Sequence, residues 1–317
     1  MIELKQLVKR FGPFTAVDDV SFTVKRGEVV GFLGPNGAGK STTMKMVAGF
    51  LTPTSGSASV AGHDIGADPL AVKRVLGYLP EGAPAYPDMT PEAFLRFVAQ
   101  IRGFKGAAAR DRIAQVVGLV HLEGVMRQPI ETLSKGFKRR VGLAQAILHD
   151  PEALIMDEPT DGLDPNQKHE VRTLIRSMAS TKAVILSTHI LEEVEAVCTR
   201  VVLINRGRVV FDGTPREFQQ KSRHSGAVRV LVRAPGEQRE AIARELRGLQ
   251  SAAGVEDNGG GDGRVECVVF AKNRDALLGD VSRAVRNKGW EVESIAVEPG
   301  RLDEVFRTMT MPTGGSR

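Results

Sequence analysis

Cysteine is scarce in this chain: Cys198 and Cys267 are the whole complement, far apart and without C-x-x-C spacing. That argues against a disulfide framework and against a cysteine-built zinc site, and reads instead as two inert thiols in a reducing compartment. No run approaches the ~20 apolar residues that a membrane-spanning helix needs. The opening MIELKQLVKRFGPF lacks the apolar centre of a secretory signal. The expectation is an intracellular chain that does not cross a membrane alone. A strong excess of one charge is missing too. The net charge of +5 permits an anionic partner without demanding one, and a merely basic solvated surface explains it as well. What is present, 317 residues with 42% hydrophobic and 26% charged content, suits one large or two ordinary soluble domains.

The first segments, IELKQLVKRF and DDVSFTVKRGEVVGFLG, alternate with period two and predict short strands, the last one buried. GPNGAGKS and the helical run TTMKMVAGF follow directly, giving the order strand, glycine-rich loop, helix. From Pro91 to about Asp150 the period becomes helical, in EAFLRFVAQIRGF and RDRIAQVVGLV, with Thr90-Pro91-Glu92 as a helix start. Buried strands return at EALIMDEP and KAVILSTH with a helix between them, and VVLINRGRVVFDG predicts a hairpin turning at Asn205-Arg206-Gly207. Strands alternating with helices predict an α/β core with a parallel sheet, and the 88–150 stretch a helical insertion. KSRHSG near residue 221 reads as a linker. Beyond it the pattern is β-α-β-β-α-β, ferredoxin-like, closed by a helix at LDEVFRTMT. The expected domains are therefore 1–220 and 225–312.

Gly34-Pro35-Asn36-Gly37-Ala38-Gly39-Lys40-Ser41 fits G-x-x-x-x-G-K-[ST] without a gap. Glycines let successive backbone N–H groups curl towards an anion, and the helix that follows adds its positive end. Lys40 reaches towards the β- and γ-phosphates and Ser41 offers a hydroxyl to Mg²⁺. The strand ALIMDE supplies the acids such a loop needs. Asp157 is the Mg²⁺ partner, directly or through water, and Glu158 the base that polarises an attacking water. His189 closes the strand KAVILSTH on the side where α/β sheets bind ligands, and is expected at the γ-phosphate or the attacking water. Residues 133–140, LSKGFKRR, hold four cations. They could be a nucleic-acid patch, a basic helix end or part of a phosphate site. Ser134 is a good N-cap, so the helix start is a half-site for an anion, lacking its own lysine loop.

Taken together, these motifs resemble the ATP-binding subunit of an ABC transporter over residues 1–220. The resemblance rests on the loop 34–41, LSKGF at 133–137, Asp157-Glu158, the Asp161–Asp164 turn and His189, in that order. It implies a P-loop NTPase cassette with a RecA-like parallel-sheet core, an antiparallel N-terminal β subdomain and a helical subdomain, beside the small C-terminal α+β domain. It also implies that Gly34 through Ser41, with Thr42, bind ATP, and that Phe11 stacks on adenine, although a Phe before Gly12-Pro13 also packs a turn. Ser134, Lys135, Gly136 and Phe137 fall on the signature that meets the ATP of a partner chain. Asp161, Gly162, Leu163 and Asp164 fall on the turn between the two sites of a head-to-tail dimer. Glu81 stands where the family has a metal-touching glutamine, and Lys135 where it has glycine; Lys135 either adds a cation at the partner's γ-phosphate or points to solvent. Lys138, Arg139 and Arg140 are expected to dress the helix surface.

The single cassette with a C-terminal tail resembles the ABC-2-type group, which includes gliding-motility, drug-export and copper-site-assembly proteins. The group implies a separate permease, export, and a place at the cytoplasmic face of the membrane, with no nucleic acid as partner. Soluble ABC-type ATPases of DNA or ribosomes are the alternative. They are disfavoured because no heptad insertion and only one phosphate loop occur. A non-hydrolysing nucleotide-gated module is disfavoured by Glu158 and His189.

Overall fold

The computed structural model describes residues 1–82, 85–259 and 263–311. The chain divides into two compact units, Met1–Pro215 and Arg216–Met311.

In the first unit, β1 (Ile2–Phe11) and β2 (Phe14–Val24) pair as an antiparallel hairpin. The apolar residues Ile2, Leu4 and Leu7 of β1 face inward, with register shifts after Leu4. Next come β3 (Val29–Leu33) and α1 (Lys40–Val47), then β4 (Ser55–Val60), β5 (His63–Asp64), α2 (Pro69–Val75) and β6 (Leu76–Leu79). The helical stretch holds α3 (Pro91–Ile101), α4 (Gly106–Val120) and α5 (Lys135–Ile147). Thr90 caps α3 as its sequence suggests, accepting from Ala93 N at 3.2 Å. The chain returns through β7 (Ala153–Asp157), α6 (Pro165–Ala179), β8 (Ala183–Ser187), α7 (Leu191–Val197), β9 (Arg200–Asn205) and β10 (Arg208–Gly213).

These strands form two sheets. One is antiparallel, in the order β2-β1-β4-β5. The other has the order β10-β9-β3-β8-β7-β6; its strands run parallel except β10, which hairpins back from β9. Every residue of β3, β7 and β8 is buried, which is why these segments read as unbroken apolar runs rather than alternations. One core joins the two sheets around α1, with Met44, Met46 and Val47 between Ile2, Phe22 and Val60 on one side and Ile155, Ile185 and Val202 on the other. Parallel strands bring the carboxyl ends of β3, β6, β7 and β8 to one rim, and the loops after them carry the expected site residues.

The second unit contains α8 (Pro215–Gln219, which begins at the division), β11 (Val228–Arg233), α9 (Arg239–Arg247), β12 (Ala252–Gly259), β13 (Arg264–Ala271), α10 (Arg274–Lys288), β14 (Glu291–Val297) and α11 (Leu302–Thr310). Its sheet is antiparallel in the order β12-β13-β11-β14. Val228, Val230 and Val232 of β11 and Cys267 of β13 pack under Ile242 and Leu246 of α9 and Leu277 and Val281 of α10. The division precedes the stretch read as a linker. Ser222, His224 and Ser225 are buried, and Ser222 and His224 both bond the Glu304 carboxylate of α11. A polar composition looks like a linker when its partners lie some eighty positions away. Residue 312, the expected end of this domain, lies outside the described residues.

Candidate functional site

The loop between β3 and α1 is shaped by what crowds it. A Cβ at Gly34 would stand 2.4 Å from Ile204 O of β9, and Gly39, the N-cap of α1, has φ 108 with Ala16 O 2.6 Å from where its Cβ would be. The loop is tied to the β9–β10 turn, where Gly207 N donates to Ala38 O at 2.9 Å. Lys40 is buried, and its Nζ donates to Gly34 O at 2.7 Å and Pro35 O at 3.1 Å. An ammonium has three N–H donors, so one remains for an anion above the loop. Burial lowers the Lys40 pKa from the ordinary lysine value, and the negative charges of Glu158, Asp157 and Glu81 oppose that shift.

A cleft of about 420 Å³ opens over the loop. Phe11, Asn36, Gly37, Gly39, Lys40, Ser41, Thr42 and Glu81 line it, so the structure brings these expected residues together. Phe14 lines it as well. Sequence reasoning passed over this residue, although its signal was present: Phe11 and Phe14 are the last cross-strand pair of the β1–β2 hairpin, and both rings are exposed.

Asp157 ends β7 and is buried; Glu158 follows it with φ 52, an uncommon backbone for a non-glycine residue. Glu158 Oε1 accepts from His189 Nδ1 at 2.8 Å, and the Thr188 hydroxyl lies 3.4 Å from Oε2. The next strand's end therefore holds the Glu158 carboxylate. Tyr78 of β6 lies near the same acids: its phenol pKa is pushed up to about 12 by burial first and then by Asp157 and Glu81.

Ser134 caps α5 as expected, its Oγ accepting from Phe137 N at 3.3 Å. Ser134 and Lys135 are exposed, while Gly136 is buried against Gln167 of α6. Asp164 caps α6 by accepting from Gln167 N at 2.9 Å, and Leu163 is buried. The stem of Lys135 lies over Gly162, so the signature-like segment and the 161–164 turn are neighbours. Neither of them lines the cleft over the phosphate loop. The expectation for 138–140 needs correction. Arg139 and Arg140 are buried, not surface dressing. Arg140 Nη2 pairs with Glu170 at 2.8 Å, Arg139 bonds backbone carbonyls of the strand ends, and Lys138 Nζ donates to Glu131 O at 2.8 Å.

A strand–glycine loop–helix unit on a parallel sheet, with paired acids at the end of β7 two strands along, defines a nucleoside-triphosphate-binding cassette. Comparison narrows the class. The ABC transporter family profile matches residues 17–161. The probable multidrug ABC transporter ATP-binding protein YbhF of Escherichia coli (strain K12) is 40% identical over 223 residues, which cover 70% of this chain and 38% of that relative. The match thus spans well under half the length of that relative. The Nod factor export ATP-binding protein I of Ralstonia nicotianae is 36% identical over 69% of this chain and 68% of its own. A solved ATP-binding subunit of an ABC transporter superposes with a TM-score of 0.65 at 33% identity, covering 70% of this chain and 92% of that one. The chain belongs to the ABC transporter ATP-binding protein family.

Proposed function

We propose that this chain is the ATP-hydrolysing motor of an exporter: it binds MgATP, closes on a second copy of itself, and drives a separate membrane-spanning permease of the ABC-2 type. The observation that carries the reading is the Glu158–His189 pair, 2.8 Å apart, at the ends of β7 and β8, on the same rim of the sheet as the phosphate loop. The loop N–H groups and the α1 terminus cradle the phosphates, and Lys40 gives its remaining N–H to them. Phe11, with Phe14 beside it, provides an aromatic wall for the base. Glu158 takes the proton of the attacking water, and His189 fixes that carboxylate through Nδ1.

The Ser41 hydroxyl and the Glu81 carboxylate line the cleft, and with the Asp157 carboxylate they would offer the all-oxygen donors that suit a hard divalent cation. When bound there with the nucleotide, Mg²⁺ supplies charge neutralisation at the phosphates. Ser134 and its exposed helix start await the γ-phosphate of the partner chain's ATP, since they do not reach this chain's own cleft. The relatives' printed names, a multidrug transporter protein and an export protein, support export as the direction. Among the described residues no helix is long and apolar enough to cross a membrane. On this reading the chain sits at the cytoplasmic face, held there by the permease.

Steady-state hydrolysis and nucleotide binding test this reading together. Glu158→Gln is expected to bind MgATP and to turn over about 100-fold more slowly. Lys40→Ala is expected to lose nucleotide affinity. Wild-type turnover in the first variant would remove the base assignment, and wild-type binding in the second would remove the phosphate-loop role.

A further inference from the structure

Arg139 stands out among the buried charges because the hydrolytic roles above make no use of it. It lies on α5 at 5% exposure. Its Nη1 donates to Pro80 O at 3.1 Å, and its Nη2 donates to Asp157 O at 2.5 Å and to Glu158 O. These carbonyls belong to the ends of two adjacent strands, β6 and β7, where Glu81 and the Asp157-Glu158 pair begin. A guanidinium taken out of water is costly unless it is bonded and neutralised. Here the fork is spent on backbone rather than on a carboxylate; burial lowers the Arg139 pKa from the ordinary arginine value, and the charges of Asp161, Asp157, Glu158 and Glu81 oppose that shift.

The geometry at Glu158 shows what the fork is for. Glu158 sits at φ 52, and its N–H donates to Ser187 O of β8 at 2.8 Å. Its C=O accepts from Arg139. The residue is thus gripped at both ends, which is what an unfavourable backbone needs in order to persist. The carboxylate that leaves this backbone is the one that meets His189. Lysine could reach one of these carbonyls; only a planar fork spans them.

We infer that Arg139 is a positioning residue for hydrolysis: it fixes the backbone of Glu158 and of Pro80–Glu81, and so aims the Glu158 carboxylate. Arg139 is five positions after Ser134 on one helix, so it also ties the helix that begins at LSKGF to the chain's own strand ends. The inference rests on the proposed role of Glu158 as base.

The test is a double-mutant cycle in the full chain, read as kcat and KM for MgATP alongside fluorescent-nucleotide binding and thermal unfolding. Arg139→Gln is expected to lower kcat about 100-fold, the cost of misplacing a reacting group, with KM within about threefold of wild type. Arg139→Lys should recover about tenfold of that loss. Arg139→Gln in the Glu158→Gln background should slow turnover by less than about twofold more, because both changes remove one function. Three results would overturn the proposal: kcat near wild type in Arg139→Gln, KM and kcat failing together, or full multiplication of the two losses in the double variant. If Arg139→Gln does not fold, Arg139→Lys carries the cycle, with a kcat loss of about tenfold expected and the same three results overturning the proposal. Wild-type turnover in Glu158→Gln alone would remove the base assignment instead, and Arg139 would then be judged by its kcat-against-KM split.

Discussion

Gly34 and His149 show how much a single residue can hold in this molecule. The atom opposite the missing Gly34 side chain is a backbone carbonyl, Ile204 O, which cannot swing aside as a long side chain can. Gly34→Ala is therefore expected to destabilise the cassette by about 1–3 kcal/mol, as overpacking does, and urea unfolding would measure it. His149 donates from Nε2 to Leu76 O at 3.1 Å. Burial, then Arg102, lowers its pKa from 6.5 to about 4. Between those values the unfolded chain binds a proton that the folded chain refuses, so stability falls as pH drops through this window and is full above it. His149→Gln, which keeps a donor, should flatten the loss. Unfolding of both proteins at about pH 7.5 and about pH 5 reads the difference, and equal losses would refute it.

At the level of elements, sequence spoke most clearly where structure is local. The Thr90 and Ser134 caps are visible because a cap needs only its own next three residues. The two-residue turn at Arg206-Gly207 and the phosphate loop are legible for the same reason. Arg139 and Arg140 were illegible. A basic pair after a cap looks solvated until β6, β7 and α6 close over that side of the helix, and nothing within α5 records their arrival. Phe14 belongs to no motif, and only its cross-strand pairing with Phe11 brings it to the cleft. The Ser134 cap gives a prediction of its own. Ser134→Ala should cost about 1 kcal/mol of stability, visible by thermal unfolding. If Ser134 also meets a partner's phosphate, hydrolysis should fall further than that loss of stability explains.

For the whole molecule, the segment at 134–137 does not line the cleft over the phosphate loop, and under the proposed function a second copy facing head to tail brings the two together. Asn36→Cys and Lys135→Cys in one chain should bridge between chains, and only when ATP is present. The native Cys198 and Cys267 are both buried and add little background. Bridging inside a single chain would contradict the head-to-tail arrangement.

The floor of the nucleotide cleft is assembled from distant parts of the chain. Residues 34–40 hold their shape against Ile204 and Gly207, which are translated about 170 positions later. A nascent chain that has exposed the glycine loop, both acids and even His189 still lacks the wall that fixes the loop. During synthesis, then, nucleotide competence is expected to arrive late, once the β9–β10 turn has left the ribosome, and ribosome-bound chains that end before it should bind ATP more weakly than longer ones.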